Sequence, residues 1–268
     1  MSRSVIIQGM NGDELAGRCE LLRSLHVPGT PLVLPNAWDA ATARAVVDAG
    51  FPVVATTSAG VAASLGYEDH QDAPAAEMLA AAARISGAVD VPVTVDAEAG
   101  YGMDPGELVD ALREAGAAGC NLEDTDHAAG ELRDHEQHAS WLGAVREAAA
   151  AAGYGLVVNA RIDVFLAAFH SGSEVSQDEL VDAALERATA YAESGVDSVY
   201  PIALWEADPL RRFIAAAPAP VNVLKVPPGP SIAELAGLGA ARISWGGLLH
   251  RGSMEHFAGV LGSLVDDG

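Results

Sequence analysis

The sequence predicts an α/β chain folded as a (β/α)8 barrel of the TIM type, a single domain of 268 residues with an extra N-terminal helix. Three observations carry that expectation. Short β-branched runs alternate with helically spaced apolar segments, the pattern of a parallel sheet wrapped by helices. Eight strand-helix units can be counted, the number that closes a barrel. Half of the residues are hydrophobic, enough at this length for one large core. An open doubly wound sheet is the runner-up.

The N-terminal helix is expected over 13–25, where Leu15, Leu21, Leu22 and Leu25 are roughly helically spaced. Strand 31–35 then leads to helix 39–49, with Asp39 as its N-cap. Strand 52–56 leads to helix 74–87, and strand 91–96 to helix 105–115; a proline opens each helix, where its missing N–H costs nothing. Strand 119–122 precedes a helix within 137–152, and strand 156–160 precedes helix 177–194. The last units pair strand 198–201 with a helix near 208–216, strand 221–224 with helix 231–238, and strand 241–244 with helix 254–265.

Composition narrows the function. A formal net charge of −22 argues against nucleic acid or an anionic membrane as partner, since either would be repelled. An anionic substrate stays compatible if a local arginine or metal reverses the field inside a pocket. Two cysteines, Cys19 and Cys120, make neither a disulfide framework nor a thiolate zinc site. Met1 to Asn11 lacks the long apolar run and cleavage site of a signal peptide, and no apolar stretch reaches membrane length. A cytoplasmic protein is expected.

In a barrel the loops after the strands form the active-site face, so the polar residues that close each strand are informative. The third strand runs into Asp96 and Glu98, which alternation places on one side of the strand end. Two acids there repel unless a cation or shared proton stabilises them, and Mg²⁺ suits them, with Mn²⁺ as the alternative. Two solvated acids opening a loop is the plainer reading of that pair alone. Strand four contributes Asn121 and Glu123 by the same spacing, and strand five Asn159 and Arg161. Three such pairs in neighbouring strands converge on one volume, and leaving them buried without partners costs ~2–7 kcal/mol per group. An ion network centred on Arg161 is the structural alternative. After strand two, Thr57 and Ser58 with the small residues Ala59 and Gly60 form a turn able to hold a carboxylate or phosphoryl group, or an ordinary strand-to-helix loop. Glu68 and Asp69 follow, on a loop that can return to the barrel mouth.

These residues together carry a resemblance. Thr57-Ser58-Ala59-Gly60-Val61 with Ser64 to Asp69, then Asp96 to Gly102, Asn121 to Asp124 and Asn159 to Arg161 resemble the isocitrate lyase/phosphoenolpyruvate mutase superfamily. The match runs in order from about Leu34 to the Ser-Trp-Gly-Gly after strand eight. It implies a Mg²⁺-dependent barrel that makes or breaks C–C or P–C bonds beside the carbonyl of a 2-oxo or 2-hydroxy acid. It further implies Asp96 as direct metal ligand, with Glu98 and Glu123 holding the metal directly or through water. Thr57, Ser58 and the following backbone, with Arg161, would hold the substrate's anionic groups, and Asp69 would sit near the reacting centre. Homo-oligomers, tetramers with an exchanged C-terminal helix, are implied as well.

The chain also departs from the pattern. Superfamily lyases carry a Lys-Cys-Gly-His type loop after strand four, and here Glu123 to His138 holds neither cysteine nor lysine. Where mutases use lysine and asparagine in that loop stand Ala129 and Glu131, and a histidine after strand six is replaced by Ile202. Glu98 occupies a place where many members have aspartate. Asp69, Tyr101 and His127 are therefore the candidates for the proton partner, a role typically worth ~10²–10⁴-fold. The expectation is a lyase or hydrolase cleaving a C–C bond of a small 2-oxo or 2-hydroxy dicarboxylate, oxaloacetate-like for preference. The alternatives are a phosphoenolpyruvate or phosphonopyruvate P–C mutase or hydrolase, a sugar-phosphate barrel using Gly246 and Gly247, and a non-catalytic 2-oxo acid binder.

Overall fold

The computed structural model describes residues 12–266, so the reading of Met1 to Asn11 lies outside the described residues. Helix α1 (Gly12–Ser24) precedes the barrel. Its Leu22 reaches Gly119 at the start of a central strand, and Arg23 bonds the Gly155 and Leu156 carbonyls and Asp197, so α1 closes the N-terminal end of the sheet. The opposite end is left for chemistry.

The first barrel strand is split into β1 (Leu32–Leu34) and β2 (Asn36–Ala37) by Pro35, which has no N–H to give the ladder. After α2 (Ala40–Asp48) come β3 (Val54–Thr56), α3 (Ser58–Leu65), α4 (Ala75–Ser86), β4 (Val93–Asp96) and α5 (Pro105–Glu114). Next are β5 (Gly119–Glu123), a hairpin of β6 (Thr125–Asp126) and β7 (Glu131–Leu132), α6 (His135–Ala151), β8 (Val157–Ile162), α7 (Val164–His170) and α8 (Gln177–Glu193). The chain closes with β9 (Ser198–Pro201), α9 (Ala207–Ala216), β10 (Asn222–Leu224), α10 (Ile232–Leu238), β11 (Arg242–Ser244) and α11 (Leu248–Asp266).

Parallel pairing runs β2-β3-β4-β5-β8-β9, and separately β1-β11-β10. A bridge from Val199 to Val221 joins β9 to β10, and Asn36 spans the Pro35 break by donating to the Thr56 carbonyl (2.7 Å) and accepting from Trp245 N (2.8 Å). The ring of eight barrel strands is thereby closed, as expected. Reciprocal capping boxes start α2, α5, α8 and α10 through Asp39/Thr42, Asp104/Glu107, Ser176/Glu179 and Ser231/Glu234. No helix is long and apolar enough to cross a membrane among the described residues.

The differences from expectation fall between the strands. The turn after strand two is the first turn of α3, because Gly60 lets that helix lie on Trp38 and His250; a Cβ there would meet Thr57 at 2.8 Å. Helix α7 fills a stretch expected as loop. The 125–138 region is a hairpin followed by a helix, and His138 is buried within α6, stacked on Trp141 and edge-on to Tyr191. Helix α11 starts at Leu248, ahead of the expected 254.

Candidate active site

Parallel register sets the site in rows. Asp96, Asn121, Asn159 and Ser198 stand opposite one another across β4, β5, β8 and β9. Their side chains link in the same order: Ser198 Oγ donates to Asn159 Oδ1 (2.7 Å), Asn159 Nδ2 to Asn121 Oδ1 (2.9 Å), and Asn121 Nδ2 approaches Asp96 Oδ1 at 3.5 Å. Arg242 Nη2 also donates to Asn121 Oδ1 (3.1 Å), so two donors fix which way that amide faces. Asn121 and Asn159 are buried beneath the cavity and do not line it; they hold Asp96 from below.

The next row outward pairs Glu123 with Arg161 and Arg161 with Tyr200. Arg161 forks onto Asp163 (2.6 and 2.8 Å) and bonds Glu123 Oε2 (2.5 Å), while Glu123 Oε1 meets His127 Nε2 (2.5 Å). The Arg161-centred network is therefore present, and Arg161 also lines the cavity. Burial pushes the Glu123 carboxyl up to about 7 against the opposing pull of Arg161 and His127. Burial likewise works against Asp163, but Arg161 holds it below the ordinary carboxylate value. Burial works against the His127 imidazolium, but its bond to Glu123 together with the Glu123 and Glu98 charges raises it.

Above Asp96, Ser58 N donates to Asp96 Oδ2 (3.0 Å), and Asp96 N donates to Thr56 Oγ1 (2.8 Å). The next first-turn amides of α3, those of Ala59 and Gly60, open beside the Thr57 and Ser58 hydroxyls, an arrangement that favours an anion. A cavity of about 290 Å³ is walled by Thr57, Ser58, Ala59, Asp69, Asp96 and Arg161. It is bounded further by Ile202, Gly246, Gly247 and Arg251, so the glycines after the last strand belong to the same wall. Gly60 supports this turn from within α3.

Glu98 lies past the end of β4 in left-handed backbone, so strand alternation does not place it beside Asp96 as expected; it is buried, and its Oε2 accepts from Gln71 N (2.6 Å). Burial, then the charges of Asp96, Glu123 and Asp69, push its carboxyl up to about 8. With the Gln71 amide assigned so that its oxygen faces these donors, it also accepts from Ala99 N (2.8 Å) and Tyr101 N (3.3 Å). Of five non-glycine residues with left-handed backbone among the described residues, four lie in these two laced loops: His70 (φ 71°), Gln71 (62°), Glu98 (49°) and Tyr101 (56°). Each costs ~1–3 kcal/mol and persists because its surroundings over-determine it. Tyr101 lines neither this cavity nor its neighbour, and burial drives its phenol well above the ordinary range.

A second cavity of about 470 Å³ adjoins the first and is walled by the 125–132 hairpin and α7. His127 lines this outer cavity and not the inner one. Sequence reasoning missed His70, His170, Arg242 and Arg251. For Arg242 a signal existed, a lone charge inside an apolar strand; for His70 and His170, on a loop and a short helix, none did.

A family model described as phosphoenolpyruvate phosphomutase matches residues 22–265. A solved chain from Burkholderia cenocepacia J2315, provisionally named a phosphonomutase, is 42% identical, with TM-score 0.84 over 91% of this chain and 98% of that one. A relative from Corynebacterium glutamicum named probable 2-methylisocitrate lyase 2 is 34% identical over 70% of this chain and 60% of its own. The structure of 2,3-dimethylmalate lyase, a member of the PEP mutase/isocitrate lyase superfamily, superposes with TM-score 0.80 at 25% identity, covering 94% of this chain and 88% of that one.

Proposed function

Because the chain belongs to the phosphoenolpyruvate phosphomutase family, within the PEP mutase/isocitrate lyase superfamily, we propose that it cleaves a C–C bond of a small 2-oxo or 2-hydroxy dicarboxylate, oxaloacetate-like in size. It is an enzyme of the carbon–carbon lyase type. The observation that carries the substrate class is the Ser58 N to Asp96 Oδ2 bond, which joins an anion-holding helix start to an acid cluster.

The acids fit a divalent cation. Asp96 and Glu98 offer hard oxygens, and the raised Glu98 shows how poorly clustered buried carboxylates tolerate one another without a counter-charge. Both Glu123 oxygens are engaged by His127 and Arg161, and no three His, Cys, Asp or Glu groups converge as direct ligands among the described residues. Mg²⁺ matches that economy, since it takes one or two carboxylates and keeps its waters; Mn²⁺ shares the donor preference. Asp96 would hold it directly, with Glu98 and Glu123 acting through water. Bound there, the metal supplies Lewis-acid stabilisation of charge on the 2-oxo oxygen, a contribution of several kcal/mol.

The chain's own groups do the rest. Thr57 and Ser58 hydroxyls and the Ala59 and Gly60 amides seat the carboxylate next to the ketone. Arg161 turns the field favourable to an anion, and Asp69 stands on the cavity wall beside the reacting carbons. Asn121 and Asn159 keep Asp96 in place. The protein works as a cytoplasmic homo-oligomer with neither nucleic acid nor membrane as partner.

The test is a proton and phosphorus NMR time course with Mg²⁺ on oxaloacetate, isocitrate, methylisocitrate, phosphonopyruvate and phosphoenolpyruvate, each with a chelator control. Chelator-sensitive loss of a C–C bond supports the reading. Turnover of a phosphonate alone would replace it with P–C chemistry, and Mg²⁺-dependent line broadening without turnover would reduce the protein to a binder.

A further inference from the structure

The inner and outer cavities share four wall residues, His70, Arg161, Leu166 and His170. A 2-oxo acid anchored at the Thr57 to Gly60 turn and Asp96 has its head in the inner cavity, so its C3 substituent must leave past this shared wall. Arg161 is tied to Asp163 and Glu123, and Leu166 carries no proton. Two imidazoles remain. His170 ends a seven-residue helix, with its ring beside Phe169. His70 is held on both sides, its ring 5.4 Å from that of His127 and 6.1 Å from that of His170, and its backbone is locked in left-handed geometry by the Gln71 bond to Glu98. A left-handed position is cheapest for glycine, and a strained histidine at a cavity junction points to use of its ring.

Resting on the function proposed above, we infer that His70 is the proton donor to C3. The C3–C4 bond breaks, and its electron pair enters the C2–C3 double bond as the carbonyl pair moves onto the C2 oxygen. The outer fragment, a C4 carboxylate, leaves as carbon dioxide through the outer cavity. The imidazolium of His70 then gives its proton to C3 and becomes neutral imidazole while the C2 carbonyl re-forms. Solvent at the exposed ring returns the proton. Asp69 on the same loop, His127 on the hairpin, His170 on α7 and Arg161 on β8 are the charged or titratable groups around this position.

The experiment uses the full chain with Mg²⁺ and three variants, His70→Gln, His70→Gly and His170→Gln. On the substrate turned over, kcat of the two His70 variants should fall ~10²–10⁴-fold with KM and Mg²⁺ affinity within about threefold of the parent, as for loss of a proton donor. Added imidazole should restore part of the His70→Gly rate. The same variant should melt about 2–4 °C higher, because glycine relieves the left-handed residue. Oxalate, a mimic of the enolate, separates this inference from the wider reading: in Mg²⁺-loaded protein it should move the ring signal of ¹³C-labelled His70, assigned by its loss in His70→Gln. If no compound is turned over, the proposed function fails, and the oxalate titration alone decides His70. An unmoved His70 signal, or a kcat for His70→Gln within threefold of the parent, would overturn the inference, and a kcat loss confined to His170→Gln would transfer the role.

Discussion

Ser58 N and Asp96 Oδ2 lie 3.0 Å apart, so the first turn of one helix and the end of the next barrel strand share a single carboxylate. One Asp96 oxygen accepts from that amide, and the other faces Asn121. The helix start and the acid cluster are thereby fixed to one another by a backbone amide on one side and a short side chain on the other.

Asp96→Ala should weaken Mg²⁺ binding by at least tenfold, since Asp96 lines the inner cavity and, unlike Glu123, is paired with no cation of the protein among the described residues. Isothermal titration of Mg²⁺ or Mn²⁺ checks it. Parental affinity in the variant would move the metal elsewhere.

Arg161 makes three close bonds to two buried acids, so its substitution touches both stability and substrate. Arg161→Gln leaves Asp163 and Glu123 without their cation and should cost ~3–5 kcal/mol in a denaturant titration. Arg161→Lys keeps charge but loses the fork, and should cost less while raising KM more than it weakens Mg²⁺ binding.

Two buried histidines each contribute stability that mild acid removes. Burial, then Arg133 and Arg187, pull His138 down to about 3, and burial with the Arg242 charge pulls His26 down to about 4. Neither His138 nitrogen nor His26 Nε2 has a hydrogen-bond partner among the described residues. The unfolded chain takes up these protons near pH 6.5 and the native protein only near 3 and 4, so the unfolded state binds more protons in between. The contribution of each histidine should be full above about pH 6.5 and be lost as pH is lowered, by on the order of 3 kcal/mol before the native pKa is reached. The raised Glu98 and Glu123 carboxyls act in the opposite direction over the same range, so the histidine share is read as the difference between parent and variant. Urea titrations from pH 7.5 to 4.5 measure the slope, and His138→Leu should remove its share.

Helix α11 carries Met254, Phe257, Leu261, Leu264 and Val265 at helical spacing, between 46% and 79% exposed. Such a stripe is costly in water and is expected to be covered by a second copy of the chain. Light scattering should give a dimer or tetramer, and Phe257→Glu with Leu261→Glu should lower the mass. A monomeric parent would contradict this.

Two of the polar pairs were readable because strand alternation is local: Asn121 with Glu123 and Asn159 with Arg161 follow from spacing by two, whereas β4 ends at Asp96 and Glu98 sits past it in left-handed backbone, where alternation no longer applies. The eight strands were readable for the same reason, each being a β-branched run with its own punctuation. Helix α3 was not. Its Ser-Ala-Gly-Val start has the composition of a turn, and it becomes a helix because Gly60 can lie against Trp38 and His250, the latter 190 residues away in sequence.

The sequence by itself determined the barrel, the superfamily and the acids at the strand ends, because these depend on residue type and short periodicity. Only the tertiary structure decided what each side chain meets. Parallel register put Asn121 and Asn159 in the supporting row under Asp96, the hairpin turned His127 to the outer cavity, and loop lacing left Tyr101 off the cavity wall while bringing His70 to it. Those outcomes depend on pairing between distant strands and on left-handed backbone held by neighbouring loops, and neither leaves a mark in local sequence.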